Sequence, residues 1–176
     1  MTIRRILTVG EPSLRERSTE LSKNQIRSPQ TRRLVRDMFD TLAEAKGIGL
    51  AAPQIGEQVR MVLFDVPEDN GYTDEGEALA RTICINPTIT PLEGLEAGYW
   101  EGCLSVPGKR GYVERPQHIR LDFLDLAARP RSMEFNGFLA TVCQHEIDHL
   151  DGVLYIDHIK DPDLLLPEDE YLKRVE

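Results

Sequence analysis

A stripe of apolar residues at helical spacing marks the first long element of this chain. Ser28 and Pro29 precede the stripe, and this pair is typical of a helix start because serine caps free N–H groups and proline suits the first turn. The apolar positions are Leu34, Val35, Met38, Phe39 and Leu42. The periodicity predicts a helix to about residue 45 whose apolar face packs in the core.

Apolar runs after this helix indicate strands. Residues 59–66 and 82–85 are typical of buried strands, and the second strand is expected to stop at Asn86 and Pro87. The polar residues 69–77 contain two glycines and are expected to form a surface loop.

Alternating apolar and polar positions continue further along the chain. Residues 112–115 and 119–124 indicate half-buried antiparallel strands, and residues 133–135 are expected to pair with the second of them. Helical spacing then returns from residue 136 or 137, and Gly152 lies where a helix end favours glycine. The apolar positions of this second helix include Phe138, Leu139 and Val142.

The second helix contains the sequence His-Glu-x-x-His at His145, Glu146 and His149. Residues four apart lie on one helix face, so both imidazoles can bind one cation, and Glu146 can reach a water on that cation. This is the arrangement of a metal-dependent hydrolase. A polar surface helix is the alternative, but the apolar face predicts burial, and buried histidines need a partner. Asp148 is expected to pair with Arg115 behind the histidines.

A catalytic metal of this kind has three protein ligands and one open position, and the motif supplies only two. Tyr155 occupies the position of the third histidine found in one group of proteases. Glu168 and Glu170 lie at a suitable separation, but their acidic, proline-flanked tail is expected to be solvated. Cys103 follows Gly102 in a segment of mixed polarity, where a metal ligand and a structural cysteine are equally reasonable interpretations.

The other cysteines and the last histidine suggest no further chemistry. Cys84 lies in an apolar run and is expected in the core. Cys143 lies about 200° around the helix from His145 and cannot share its metal. His158 is expected to be unaccompanied and inert. Strands around two helices predict an α+β fold, with antiparallel strands packed around a central helix that carries His-Glu-x-x-His, and an N-terminal helix.

Composition and charge narrow the class of protein. The length of 176 residues suits a single domain over residues 1–176. An odd number of cysteines, three, argues against a disulfide framework and for a reducing, cytoplasmic location. No apolar run approaches the roughly 18 residues that a membrane span needs. The net charge of −9 divides into +4 over residues 1–60 and −13 over the rest. The basic part lacks interleaved aromatic residues, so it predicts a solvated surface and no specific nucleic-acid motif.

Three motifs occur in a characteristic order and spacing. They are Gly47-Ile48-Gly49-Leu50-Ala51-Ala52-Pro53-Gln54, then Glu101-Gly102-Cys103-Leu104-Ser105, then Gln144-His145-Glu146-Ile147-Asp148-His149. In them the chain resembles the peptide deformylase family over roughly residues 5 to 155. The resemblance implies that Cys103, His145 and His149 bind one divalent metal ion and that Glu146 is the acid and base. It implies Fe²⁺ in the cell, which Zn²⁺, Ni²⁺ or Co²⁺ can replace.

The implied reaction removes the N-formyl group from nascent polypeptides that begin with formyl-methionine, and releases formate. The Gln54 side-chain amide and the Leu104 N–H are expected to stabilise the oxyanion. The implied partners are N-formyl-methionyl peptides and, transiently, the ribosome, although the acidic tail lacks the basic C-terminal helix with which some relatives contact it. Two other classes stay open: a zinc endopeptidase with Glu168 as ligand, and a non-catalytic binder of formyl peptides.

The substrate is expected to bind along the same motifs. Backbone near Ile48, Gly49 and Gly102 is expected to pair with an extended peptide. The methionine pocket is expected to consist of Ile48, Tyr99, Phe138, Thr141 and Val142, the last three being on the helix face of His145. By the family pattern, Arg110 lies near the exit of the peptide.

Overall fold

The computed structural model describes residues 2–68 and 78–175. Its strands are β1 Gly49–Ala51, β2 Met61–Val66, β3 Leu79–Pro91, β4 Glu96–Cys103, β5 Val106–Pro116, β6 His118–Leu124, β7 Pro130–Asn136 and β8 Leu165–Pro167. Its α-helices are α1 Lys23–Ile26, α2 Pro29–Ala45, α3 Gly137–Leu150 and α4 Glu168–Val175. The strands form two antiparallel sheets, one in the order β1-β2-β3-β6-β7 and one in the order β4-β5-β8. The polar segment 69–77, which was expected to form a loop, lies outside the described residues.

The five-stranded sheet has an apolar cluster on each face. In β2, Val62 and Phe64 belong to the cluster that includes α3, whereas Met61 and Leu63 belong to the cluster that includes α2. Successive strand residues point to opposite faces, so burial on both faces explains why this strand is apolar throughout. Cys84 and Cys143 are buried on the α3 side, and no disulfide forms among the three cysteines. None of the described helices is long and apolar enough to cross a membrane.

The predicted N-terminal helix is confirmed as α2. The Ser28 hydroxyl accepts a hydrogen bond from the Thr31 N–H at 3.2 Å, and Pro29 occupies the first turn. Lys46 ends the helix in the left-handed region, with φ of 53°. Gly47 and β1 follow directly, so the end of α2 places the first motif beside α3.

Helix α3 begins after Asn136 and ends before Gly152, as predicted. Gly152 has φ of 73°, and a Cβ there would lie 2.5 Å from the Arg15 carbonyl oxygen, so only glycine suits this position. Eleven of the fourteen residues of α3 are buried. The helix contacts β1, β2, β3, β6 and β7 of the larger sheet and β5 of the smaller one. Polar side chains on α3 therefore lie inside the protein.

The prediction that a strand stops at Asn86 and Pro87 is wrong, because β3 continues to Pro91. The strand register shifts between Ile85 and Thr88, and Asn86 adopts φ of 50° within this bulge. A bulge accommodates a proline, which has no N–H for the ladder. The Asn86 amide exchanges two 2.9 Å hydrogen bonds with the Leu21 backbone, which stabilises the unusual conformation.

The acidic tail is largely exposed, as expected, but it contains a strand and a helix that the sequence did not predict. Strand β8 pairs with β5 through Lys109–Pro167, Arg110–Leu166 and Gly111–Leu165, and α4 follows it. Leu166 in this strand is buried. The edge of β5 needs a partner for its free N–H and carbonyl groups, and two adjacent leucines supply an apolar strand for it. The sequence did not predict this strand, because it is only three residues long and the residues around it are acidic and rich in proline.

Candidate metal centre

Three side chains meet where β4 ends beside α3. The ligand atoms of Cys103, His145 and His149 all lie within 4.8 Å of one another, and Cys103 Sγ is 3.3 Å from His149 Nε2. One turn of α3 separates the histidines, and the rings meet edge to face at 5.3 Å between centroids. One thiolate and two imidazoles suit zinc, ferrous iron, cobalt or nickel. The chemistry of this donor set therefore fits a divalent metal ion.

The electrostatics of the cluster favour a thiolate. Burial raises the pKa of the Cys103 thiol, but the adjacent His149 and His145 outweigh burial and hold this pKa well below its usual value. The thiolate is the form that binds metals. Cys84 and Cys143 have raised thiol pKa values because burial disfavours their charged form. Only Cys103 of the three cysteines therefore has the character of a ligand.

A buried carboxylate orients His145 from behind. Glu101 Oε2 lies 2.6 Å from His145 Nδ1, which leaves Nε2 for the cluster. Arg115 donates to both Glu101 oxygens, at 2.6 and 3.1 Å, and to Asp148 Oδ2 at 2.8 Å. The predicted contact of Asp148 with Arg115 is confirmed. The expectation that His158 is unaccompanied is wrong, because its Nε2 lies 2.8 Å from Asp148 Oδ2.

Glu101 was missed as a functional residue, although it begins the second motif. The sequence did contain an indication of this role. Glu101 is a carboxylate that lies two residues before a candidate thiolate and directly follows two aromatic residues. Its partner His145 is 44 positions away, and no local pattern connects the two.

Glu146 is buried beside the cluster and faces the backbone of the first motif. A Cβ at Gly49 would lie 2.5 Å from Glu146 Oε1, so the absence of a side chain at Gly49 makes room for this carboxylate. Burial raises the pKa of Glu146 to about 7. Within the described ranges, no group donates a hydrogen bond to Glu146 Oε2. A carboxylate of this kind can both take and release a proton near neutral pH.

The predicted oxyanion donors lie next to Cys103. Gln54 Nε2 is 3.6 Å from Cys103 Sγ and 3.1 Å from Ser105 Oγ, and Gln54 Oε1 accepts the Ala51 N–H at 2.8 Å. This last bond fixes the amide so that its nitrogen faces the cluster. Leu104 lies in the turn between β4 and β5 and lines the same pocket.

A pocket of about 400 Å³ opens from the cluster. All of the predicted substrate-binding residues line it, namely Ile48, Gly49, Tyr99, Gly102, Arg110, Phe138, Thr141 and Val142. Tyr99 and Phe138 meet edge to face at 5.9 Å between centroids. The pocket therefore has an apolar side formed by these rings and α3, and a charged rim at Arg110.

Glu168 lies at this rim rather than at the cluster. Its Oε1 accepts hydrogen bonds from Arg110 Nε at 3.1 Å and from Arg110 Nη2 at 2.9 Å. The group of potential metal ligands in the described chain contains Cys103 and not Glu168. This arrangement does not favour an endopeptidase site with Glu168 as the third ligand.

A group of potential metal ligands with a buried carboxylate beside it and an adjoining pocket is the arrangement of a metal-dependent hydrolase. The sequence model of the polypeptide deformylase family matches residues 3–164. This chain belongs to that family, whose members are hydrolases that remove the N-formyl group from nascent polypeptides.

Individual relatives agree with this assignment. A peptide deformylase of Leptospira biflexa is 45% identical over 160 residues, which cover 91% of this chain and 89% of the relative. A peptide deformylase of Thermomicrobium roseum is 41% identical over 172 residues, which cover 97% of this chain and 94% of the relative. Among solved structures, a Met-Ala-Ser-bound class I type b peptide deformylase from Acinetobacter baumannii has a TM-score of 0.85 at 31% sequence identity. The matched region covers 90% of this chain and 99% of that protein's chain.

Proposed function

We propose that this chain removes the formyl group from N-terminal formyl-methionine of nascent polypeptides and acts as one catalytic domain over residues 1–176, with its antiparallel strands packed around α3. The observation that carries the proposal is Glu146 beside the group of Cys103, His145 and His149, at one end of a peptide-sized pocket. The substrate is made in the cytoplasm, so we propose that location. Contact with the ribosome would be transient and would follow from the nascent chain itself.

Cys103, His145 and His149 would hold one divalent metal ion, with Glu101 orienting His145. When bound, such an ion lowers the pKa of a water from about 15.7 toward 7 and polarises the formyl carbonyl. Ferrous iron is the proposed metal in the cell, and the same donors suit zinc, nickel or cobalt.

Glu146 would transfer the proton. Its Oε2 is buried and accepts no hydrogen bond from the described residues, so this oxygen can accept a proton from the attacking water. The same carboxyl group would then donate that proton to the nitrogen of the departing amine. Burial raises the pKa of Glu146 above that of an ordinary carboxyl group, so near neutral pH the group can exist both as a carboxylate that accepts a proton and as an acid that donates one.

Gln54 and Leu104 would stabilise the oxyanion of the tetrahedral intermediate. The Gln54 amide is already oriented by its bond from the Ala51 N–H, so no reorganisation is needed during the reaction. Removal of one such donor typically lowers the rate by about 10²- to 10³-fold.

The substrate would lie along the pocket in an extended conformation. Backbone of Ile48, Gly49 and Gly102 would pair with the peptide, and the methionine side chain would pack against Tyr99, Phe138, Thr141 and Val142. The following residues would leave toward Arg110. The Met-Ala-Ser ligand of the Acinetobacter baumannii relative supports a pocket for a short peptide of this kind.

The test measures formate release from formyl-Met-Ala-Ser by the metal-loaded protein. Glu146→Ala should lower kcat by about 10²- to 10⁴-fold while the metal content stays unchanged. Cys103→Ala should lose metal, whereas Glu168→Gln should keep it. A metal-replete wild-type protein that releases no formate would contradict the proposed function.

A further inference from the structure

The C-terminal segment forms part of the substrate pocket, although the match to the family ends at residue 164. Strand β8 extends the smaller sheet at β5, and α4 begins directly after it with Glu168. Glu168 lines the same pocket as Cys103 and Glu146. The tail is therefore positioned to influence which substrates bind.

The tail holds Arg110 in a defined place at the pocket rim. Glu168 Oε1 accepts two hydrogen bonds from its guanidinium group, and the guanidinium carbon lies 5.8 Å from the Tyr171 ring centroid. Tyr171 in turn packs on Trp100 at 5.5 Å between centroids. On its other side, Arg110 lies so close to Gly102 that a Cβ there would collide with the guanidinium group. Arg110 thus lies between the tail and the strand that ends at Cys103.

We propose that Glu168 is a specificity-determining residue, which offsets the charge of Arg110 and so disfavours short peptides with a free terminal carboxylate relative to continuing chains. The inference rests on the proposed function and concerns the same pocket. An extended residue spans about 3.3 Å, so a formylated tripeptide extends about 10 Å from the reacting carbon. Its terminal carboxylate would then lie toward the charged rim, where a nascent chain presents a neutral peptide group.

The charges at the rim set the size of this effect. Arg110 and Glu168 expose 22% and 43% of their side chains, so water screens them in part. Lys109 also lines the rim and is exposed. Of the charged side chains Lys109, Arg110 and Glu168, only the two positive ones remain charged in Glu168→Gln. The rim of this variant should therefore attract a terminal carboxylate more strongly than the rim of the wild-type protein.

The test compares kcat/KM for formyl-Met-Ala-Ser with kcat/KM for its C-terminal amide. Glu168→Gln should raise the ratio of acid to amide by roughly two- to fivefold, as for a partly exposed charge pair. The rise should come from a lower KM for the acid, because the interaction is present before and during the reaction. It should shrink at high ionic strength.

Glu170→Gln is the matched control, since it removes the same charge from an exposed position of α4 and should leave the ratio unchanged. In an Arg110→Gln background, Glu168→Gln should raise the ratio less, because Lys109 remains but one of the two positive groups is absent and nothing holds residue 168 at the guanidinium position. The inference is overturned by an unchanged ratio, by an equal rise in Glu170→Gln, by an undiminished rise without Arg110, or by an equal loss on both peptides. A wild-type protein inactive on both peptides would instead overturn the proposed function, and this inference with it.

Discussion

His145 and His149 lie one turn apart on the same helix, yet the protein holds them in different ways. His145 Nδ1 lies 2.6 Å from a buried carboxylate oxygen of Glu101. His149 is 1% exposed, and no partner for its Nδ1 occurs within residues 2–68 and 78–175. One ring is therefore oriented by charge, whereas the other is oriented by packing and by its 3.3 Å contact with Cys103.

The charged support of His145 continues to the surface. Arg115 joins Glu101 to Asp148, and Asp148 contacts His158, which exposes 39% of its side chain. Arg115 and Glu101 each expose 5%. His145 is thus positioned by buried charged groups and His149 by packing. Loss of a charged group behind His145 should therefore lower both the stability of the protein and its affinity for metal. Five substitutions test this, in decreasing order of expected effect.

Arg115→Ala should have the largest effect, a loss of about 3–5 kcal/mol in the free energy of unfolding, because it leaves the buried Glu101 carboxylate without its cation. Urea unfolding of the metal-free protein measures it. Arg120→Ala is the control, since Arg120 forms an exposed pair with Asp122, and should cost less than about 1 kcal/mol. If the two variants lose equal stability, the network is not a structural support.

His149→Ala and His145→Ala should each lower metal affinity by on the order of 10²- to 10³-fold, if the roughly 10–16 kcal/mol of a structural zinc site is shared among its ligands. Competition with a chelator measures the affinity. In the metal-free protein, His145→Ala should lower the free energy of unfolding more than His149→Ala does, because only His145→Ala removes a partner of Glu101. A larger loss of stability in His149→Ala would contradict the view that the charged network supports only His145.

Glu101→Gln should weaken metal binding by about 10- to 100-fold, the usual cost of losing a carboxylate behind a histidine ligand. The amide keeps an acceptor oxygen but not the charge. Glu114→Gln makes the same change on the exposed side of β5 and should leave metal affinity unaltered. Wild-type affinity in Glu101→Gln would show that geometry alone orients His145.

His158→Ala should have the smallest effect, below about 1 kcal/mol in stability and none on metal content, because its pair with Asp148 is partly exposed. Thermal melting and metal analysis measure both. Loss of metal would extend the functional network to the surface.

Much of the local structure could be predicted, and the errors have physical causes. Residue periodicity and end residues correctly bounded α2 and α3, because both follow from backbone geometry within a few positions. The prediction that a strand stops at Asn86 was wrong, and the short strand that contains Leu166 was not predicted. A β-bulge in β3 and the pairing of β8 with the edge of β5 determine these two conformations. Both depend on neighbouring strands and not on the residues of the segment alone.

The sequence by itself determined that two imidazoles four residues apart share one helix face with Glu146 beside them, since helical geometry requires it. Only the tertiary structure brought Cys103 to His149, Glu101 to His145 and Glu168 to Arg110, across 46, 44 and 58 positions. The packing of α3 against both sheets sets the first two distances, and the pairing of β8 with β5 sets the third. Contacts between segments far apart in the chain depend on how whole elements bury their apolar faces, so no short pattern encodes them.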